Sequence, residues 1–276
     1  MPVNEPDGLS ALLALAAVPS LLELLDLAER AALLGGRVVL AGRSGASAEQ
    51  KGAGDYVTEV DRASERAIRE VLGAGADIPV VGEEGGGEPG ERYWVVDPLD
   101  GTTNYLHGFP VVGVSVALVL EGSPVVGVVH GPFQQETYLA ARGHGARLRR
   151  GAGDPAAMTV SDRPPGRAVV GTGFPFRHKD SLPRYLAAFE GCLERFEDLR
   201  RPGAAALDLA WVAAGVFEGF FELGLSPWDV AAGALLIEEA GGVVTDWEGR
   251  PGYLSGDVLA GNPAVHAALL DIARRG

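Results

Sequence analysis

The sequence predicts an α+β protein whose main sheet is antiparallel or mixed. Two apolar, β-branched runs at 111–120 and 125–130 are joined only by Glu121-Gly122-Ser123-Pro124. That turn is too short for a crossover helix, so the strands pair antiparallel. A third run at 135–141 continues the sheet toward Gly143-His144-Gly145. Helical spacing flanks this block instead of alternating with each strand, which argues against a doubly wound fold.

The totals set the bounds. At 276 residues the chain can bury a sizeable core as one large domain or two packed halves. Its 47% hydrophobic and 22% charged residues are those of a soluble globular protein. A formal charge of −14 argues against a nucleic-acid scaffold and would repel a phosphorylated substrate unless cations intervene. The single cysteine, Cys192, excludes an internal disulfide and a cysteine-based zinc cluster. The histidines (His107, His130, His144, His178, His266) show no ligand spacing, so hard oxygen ligands, and with them magnesium or manganese, fit better. The apolar run at 9–18 lacks a basic flank and is interrupted by Pro19, so neither a signal peptide nor a membrane span is expected, and the protein is read as cytoplasmic.

In chain order, residues 1–19 read as an N-terminal extension. Leu21, Leu22, Leu24, Leu25, Ala28 and Ala32 give a helix that Gly35-Gly36 is expected to end. Residues 43–54 read as a Gly-rich loop, with Lys51 a solvated loop lysine. Thr58-x-x-Asp61 is a capping-box pattern before a helix through Val71 that stops at Gly73. A short strand at 78–82 delivers Glu83 and Glu84. A basic, Gly-rich connection at 147–155 divides the chain into halves at 20–147 and 148–276. In the second half, strands are expected at 168–174, 216–223, 243–245 and 258–260. Helices are expected at 182–196 and 204–215, from Ser226-Pro227-Trp228-Asp229 to Gly241-Gly242, and at the end of the chain. Ser226 can cap its helix with Asp229 as partner.

The stretch around which the rest is organised is Trp94-Val95-Val96-Asp97-Pro98-Leu99-Asp100-Gly101-Thr102-Thr103-Asn104. A buried strand leaves the core at two aspartates three residues apart, Pro98 stiffens the corner, and Gly101 permits the turn. The amides and hydroxyls of Thr102 and Thr103 are then free to meet an anion where a helix can start. Two carboxylates beside an anion-binding turn call for a cation between them. Alone, Asp61, Glu83, Asp97, Asp100 and Asp229 each have a plain explanation as cap, solvated acid or turn residue.

Together they form an ordered set. Asp55-Tyr56-Val57-Thr58-Glu59-Val60-Asp61, Gly82-Glu83-Glu84, Asp97-Pro98-Leu99-Asp100-Gly101-Thr102-Thr103-Asn104, Pro227-Trp228-Asp229-Val230-Ala231-Ala232-Gly233 and Glu239-Ala240-Gly241-Gly242 resemble the successive motifs of the inositol monophosphatase family over residues 20–270. The resemblance implies a layered α-β-α-β-α sandwich of the inositol monophosphatase and fructose 1,6-bisphosphatase type. It also implies a Mg2+-dependent, lithium-sensitive phosphomonoesterase that forms a homodimer.

Carried over by motif, Glu83, Asp97, the Leu99 carbonyl, Asp100 and Asp229 hold two or three magnesium ions, with Mn2+ an alternative. Asp61, Glu83 and Thr102 position the attacking water. Gly101 and Thr102 bind the phosphate, and Asp100, Ala205 and Glu222 meet the rest of the substrate. Ala204-Ala205-Ala206 stands where relatives often carry a hydroxyl.

The expected substrate is inositol 1-phosphate. Fructose 1,6-bisphosphate, alone or as a second activity, comes next, and histidinol phosphate after it. Some bacterial relatives instead serve transcription and RNA maturation as accessory proteins. The expected partner is a small phosphate ester, with neither membrane nor nucleic acid.

Overall fold

The computed structural model describes residues 19–43, 48–52 and 55–275. The N-terminal extension lies outside the described residues apart from Pro19. Helices are α1 (Leu21–Gly42), α2 (Glu59–Gly75), α3 (Thr102–Leu106), α4 (Leu182–Arg195), α5 (Ala205–Ala213), α6 (Pro227–Glu239) and α7 (Pro263–Ala273). A seven-stranded sheet carries, in spatial order, β3 (Val80–Gly82), β4 (Arg92–Asp100), β5 (Gly113–Leu120), β6 (Ser123–Gly131), β7 (Glu136–Ala141), β8 (Ala146–Arg150) and β9 (Ala156–Ala157). Only the β3–β4 pair is parallel; every other pair is antiparallel, as the short turns require. A five-stranded mixed sheet orders β11 (Asp198–Arg200), β10 (Val169–Thr172), β12 (Gly219–Glu222), β14 (Val258–Gly261) and β13 (Val243–Thr245).

Strand alternation explains the layering. On β4, Trp94 and Val96 face α1 and α2, whereas Val95 faces α5 and α6. On β12, Phe220 faces α5 and α6, whereas Phe221 faces α4 and α7. Three apolar layers result, and the order α-β-α-β-α expected from the resemblance is the one found. The middle helix pair is covered by a sheet on each side, so α5 and α6 are built from Ala, Leu and Val with few charges.

Several local expectations are corrected. Helix α1 does not stop at Gly35-Gly36 but runs on to Gly42. A Cβ on Gly35 would sit 2.8 Å from Ile68 Cδ1, and one on Gly36 would sit 2.4 Å from His130 Cδ2. These glycines let the helix lie close against α2 and the sheet, so they serve packing and not termination. Within the expected loop at 43–54 lies β1 (Ala48–Gly52), paired antiparallel with β2 (Asp55–Thr58). The expected division after residue 147 falls inside β8, and Ala156–Ala157 still pairs with that strand. The chain therefore leaves the first sheet only after residue 157. Among the described residues, no helix is long and apolar enough to cross a membrane.

Candidate active site

Asp97 and Asp100 owe their positions to an irregularity in β4. Asp97 pairs with Ser115 and Asp100 with Gly113, so three steps on one strand oppose two on the other. Pro98, which has no N–H to give the ladder, occupies this bulge. The Leu99 N–H donates to Asp97 Oδ1 across Pro98 at 2.9 Å, and Ser64 Oγ donates to the Pro98 carbonyl at 2.9 Å. Gly101 follows at φ 91°, a left-handed conformation, and a side chain there would also meet the carbonyls of Val111 and Gly203. Helix α3 has only five residues, so the turn offers individual amides and hydroxyls to an anion and little dipole.

Asp229 reaches the same place from the first turn of α6, where its Oδ2 accepts from the Ser226 N–H at 2.7 Å. Carboxylate oxygens of Asp97, Asp100 and Asp229 lie within 4.8 Å of one another. Asp100 Oδ2 also accepts from the Ala206 N–H at 2.7 Å, which ties it to the start of α5. Glu83 stands outside this tight trio but lines the same cavity, and its charge acts on Asp97.

The electrostatics are those of crowded acids. Burial raises Asp97 well above the usual carboxylate range, and the charges of Glu83, Asp100 and Asp229 add to it. Burial and Asp229 push Asp100 up to about 7, opposed by the backbone N–H groups of Ala206 and Ala205. Burial, Asp229 and Asp100 push Glu222 up to about 8, opposed by Arg201 and Arg177. Asp97 and Asp100, whose charged forms are this disfavoured, cluster with Asp229 in a way that suits a hard divalent cation.

Asp61 holds two partners at once. Its Oδ2 accepts from the Thr58 backbone N–H at 3.0 Å and from the Thr58 hydroxyl, completing the capping box of α2. Its Oδ1 accepts from Thr102 Oγ1 at 3.1 Å, and the Leu99 carbonyl lies 3.3 Å from the same hydroxyl. Asp61 therefore both caps α2 and holds the Thr102 hydroxyl.

One cavity gathers Glu83, Asp97, Leu99, Asp100, Gly101, Thr102, Ala205, Glu222 and Asp229, with Asp61 directly behind Thr102. Sequence reasoning missed its rim. Phe174, Phe176, Arg177, His178 and Arg201 line the mouth. The Arg201 guanidinium lies 5.3 Å from the Phe174 ring centre and 5.6 Å from that of Phe176. The Arg201–Gly203 turn is held by Asn104, whose Nδ2 donates to the carbonyls of Val111 (2.8 Å), Pro202 (2.9 Å) and Gly203 (3.2 Å). Asp208, outside the lining but buried on α5 with no hydrogen-bond partner for Oδ1 among the described residues, was also missed. Burial, Asp100 and Glu222 raise it well above its ordinary value. A lone acid in the apolar run at 204–215 was its available signal.

Comparison with known proteins agrees over most of the chain. The sequence profile described as "Inositol monophosphatase family" matches residues 20–275. "Nus factor SuhB" of Pseudomonas aeruginosa is 46% identical over 234 residues, covering 81% of this chain and 84% of the relative. "Nus factor SuhB" of Escherichia coli is 40% identical over 259 residues, covering 90% and 94%. Among solved structures, the extragenic suppressor protein suhB from Bartonella henselae superposes with a TM-score of 0.85 at 35% identity, covering 92% of this chain and 99% of that one. The inositol monophosphatase from Anabaena superposes with a TM-score of 0.82 at 36% identity, covering 92% and 96%.

Proposed function

Given that the chain belongs to the inositol monophosphatase family, we propose that it is a Mg2+-dependent phosphomonoesterase for small polyol or sugar phosphates, with inositol 1-phosphate its first substrate. The observation that carries this reading is the trio of carboxylates, Asp97, Asp100 and Asp229, whose oxygens lie within 4.8 Å beside the Gly101-Thr102 turn. In the proposal these three, with Glu83 and the Leu99 carbonyl, hold the magnesium ions. When bound, magnesium supplies charge neutralisation at the phosphoryl oxygens and lowers the pKa of water, which phosphate monoesters need because they hydrolyse extremely slowly unaided.

The chain's own groups do the positioning. Thr102 and Glu83 orient the attacking water, and Asp61 fixes the Thr102 hydroxyl. The amides of Gly101 and Thr102 receive the phosphate. Asp100, Glu222 and the backbone at Ala205 meet the remainder of the substrate. The basic rim of Arg177 and Arg201 draws an anionic ester toward a protein whose net charge is −14. Dimerisation, lithium sensitivity, a cytoplasmic setting and Mn2+ as substitute metal belong to the same reading.

A second reading rests on the relatives named Nus factor SuhB, at 40% and 46% identity. It gives the chain an accessory role in transcription and RNA maturation, with hydrolysis incidental. Phosphate release is measured with and without magnesium from inositol 1-phosphate, fructose 1,6-bisphosphate, histidinol phosphate and a 3′-phosphonucleotide. A magnesium-dependent rate on one, well above the rest, supports the enzyme and names its branch. Silence on all four from folded protein refutes the enzymatic reading for these substrates. Asp97→Asn separates the roles, since an accessory role survives it and hydrolysis does not.

A further inference from the structure

The turn that carries Glu83 and Glu84 is tied down by a helix that does not line the cavity. Glu65, on α2 one turn beyond Asp61, is only 2% exposed. Its Oε2 accepts from the Glu84 N–H at 2.8 Å, and its Oε1 accepts from the Gly85 N–H at 2.9 Å and from Arg69 Nε at 2.6 Å. Arg69 directs its other donors to the same segment, Nη1 to the Val80 carbonyl at 3.0 Å and Nη2 to the Gly86 carbonyl at 2.6 Å. The carboxylate sits so close that a Cβ on Gly82 would lie 2.4 Å from Glu65 Oε1, and one on Gly85 2.5 Å from it. The acidic turn is thus built around this one ion pair.

We infer that Glu65 and Arg69 are positioning residues that hold Glu83 at the cation site before any cation arrives. The inference rests on the functional reading above and explains a difficulty within it. Glu83 stands on a turn rich in glycine (Gly82, Gly85, Gly86, Gly87) and faces the charge of Asp97. Repulsion and glycine entropy together favour that turn swinging away in the metal-free protein. The Glu65 carboxylate fixes two of its amides, and the Arg69 fork fixes a carbonyl on each side. A guanidinium is required because a single ammonium cannot span acceptors on a helix, a strand and a turn at once. Arg69 also balances the buried charge of Glu65, which otherwise adds one more anion beside the turn that carries Glu83.

The test uses the full chain stripped of metal, with Arg69→Met and Arg69→Lys. As a control, Arg163→Ala breaks a different ion pair, with the buried Glu218 just before β12 of the second sheet. Magnesium affinity is read by calorimetric titration, and backbone hydrogen exchange across residues 82–87 is read in chelator. We expect magnesium affinity to fall about 10- to 100-fold in both Arg69 variants, as when a residue that orients a metal ligand is lost. Exchange at Glu84 and Gly85 should quicken, and Arg163→Ala should change neither readout. Wild-type affinity and exchange in the Arg69 variants would overturn the inference, as would an equal loss of affinity in Arg163→Ala. A wild-type chain that takes up no magnesium overturns the functional reading instead, and exchange at Glu84 and Gly85 still decides whether the clamp exists.

Discussion

Replacing Asp100 of the clustered carboxylates by its amide should stabilise this protein when no metal is present. Asp100 is 8% exposed and its carboxyl is raised to about 7 from an ordinary 3.8, burial being the first cause and Asp229 the second. A buried acid with a raised pKa is destabilising whenever the unfolded chain would be ionised. That cost begins above the unfolded value near 3.8 and is complete once pH passes the folded value of about 7. The gap corresponds to about 4 kcal/mol, of which roughly 3 accumulates between about pH 5 and pH 8. In Asp100→Asn the amide carries no such charge, yet its carbonyl can still accept the Ala206 N–H. In chelator, the melting-temperature difference between this variant and wild type should therefore move in the variant's favour on going from about pH 5 to pH 8. At about 2 °C per kcal/mol for a chain of this length, the movement is roughly 6 °C. With magnesium in excess the order reverses, because wild type gains binding energy and the variant does not. Thermal melts at two pH values, with and without metal, suffice. A stability difference that stays constant over that pH range without metal would refute the argument.

Other perturbations act through single contacts. Gly36→Ala should destabilise despite alanine's helix propensity, by about 1–3 kcal/mol of overpacking against His130, read by denaturant unfolding. Arg163→Ala leaves Glu218, which is 0% exposed, with only the Val169 N–H. We expect a loss of about 2 kcal/mol by the same measurement, less than for a fully buried pair because the Arg163 side chain is itself 56% exposed. In Gly173→Ala the new Cβ would sit 2.0 Å from Glu222 Oε1 and push that carboxylate aside. KM for a polyol phosphate should rise about tenfold, the worth of one charged hydrogen bond, with little change for an aryl phosphate that lacks hydroxyls.

Whatever a short stretch decides by itself could be read from the sequence. The run 94–100 announces a strand that ends in charge, and Thr58-x-x-Asp61 announces a capped helix, because both depend on neighbours a few residues away. The paired strands at 113–131 follow from a turn too short for any other connection. The layering itself came with the family resemblance, since periodicity does not say which face of a strand meets which helix. The misreadings have a common cause. Gly35-Gly36 has a terminator's composition, but its meaning depends on Ile68 and His130, which are distant in sequence. Arg177 and Arg201 join the cavity, and Asp208 comes under the charge of Asp100 and Glu222, only when the second sheet and the middle helix pair are packed onto the first sheet. Glu65 has the local sequence of an ordinary helical glutamate, and only the turn at 82–87 folding onto it gives it a role.

The two-sided carboxylate of Asp61 has a consequence for how lesions at this site will be classified. One oxygen starts a helix and the other aims a hydroxyl, so folding of α2 and orientation of Thr102 are a single event. A defect in the Thr58 cap, which is hidden from solvent and lines no part of the cavity, reaches the cavity through one side chain. Variants screened for stability there will report on the cavity, and variants screened at the cavity will report on stability.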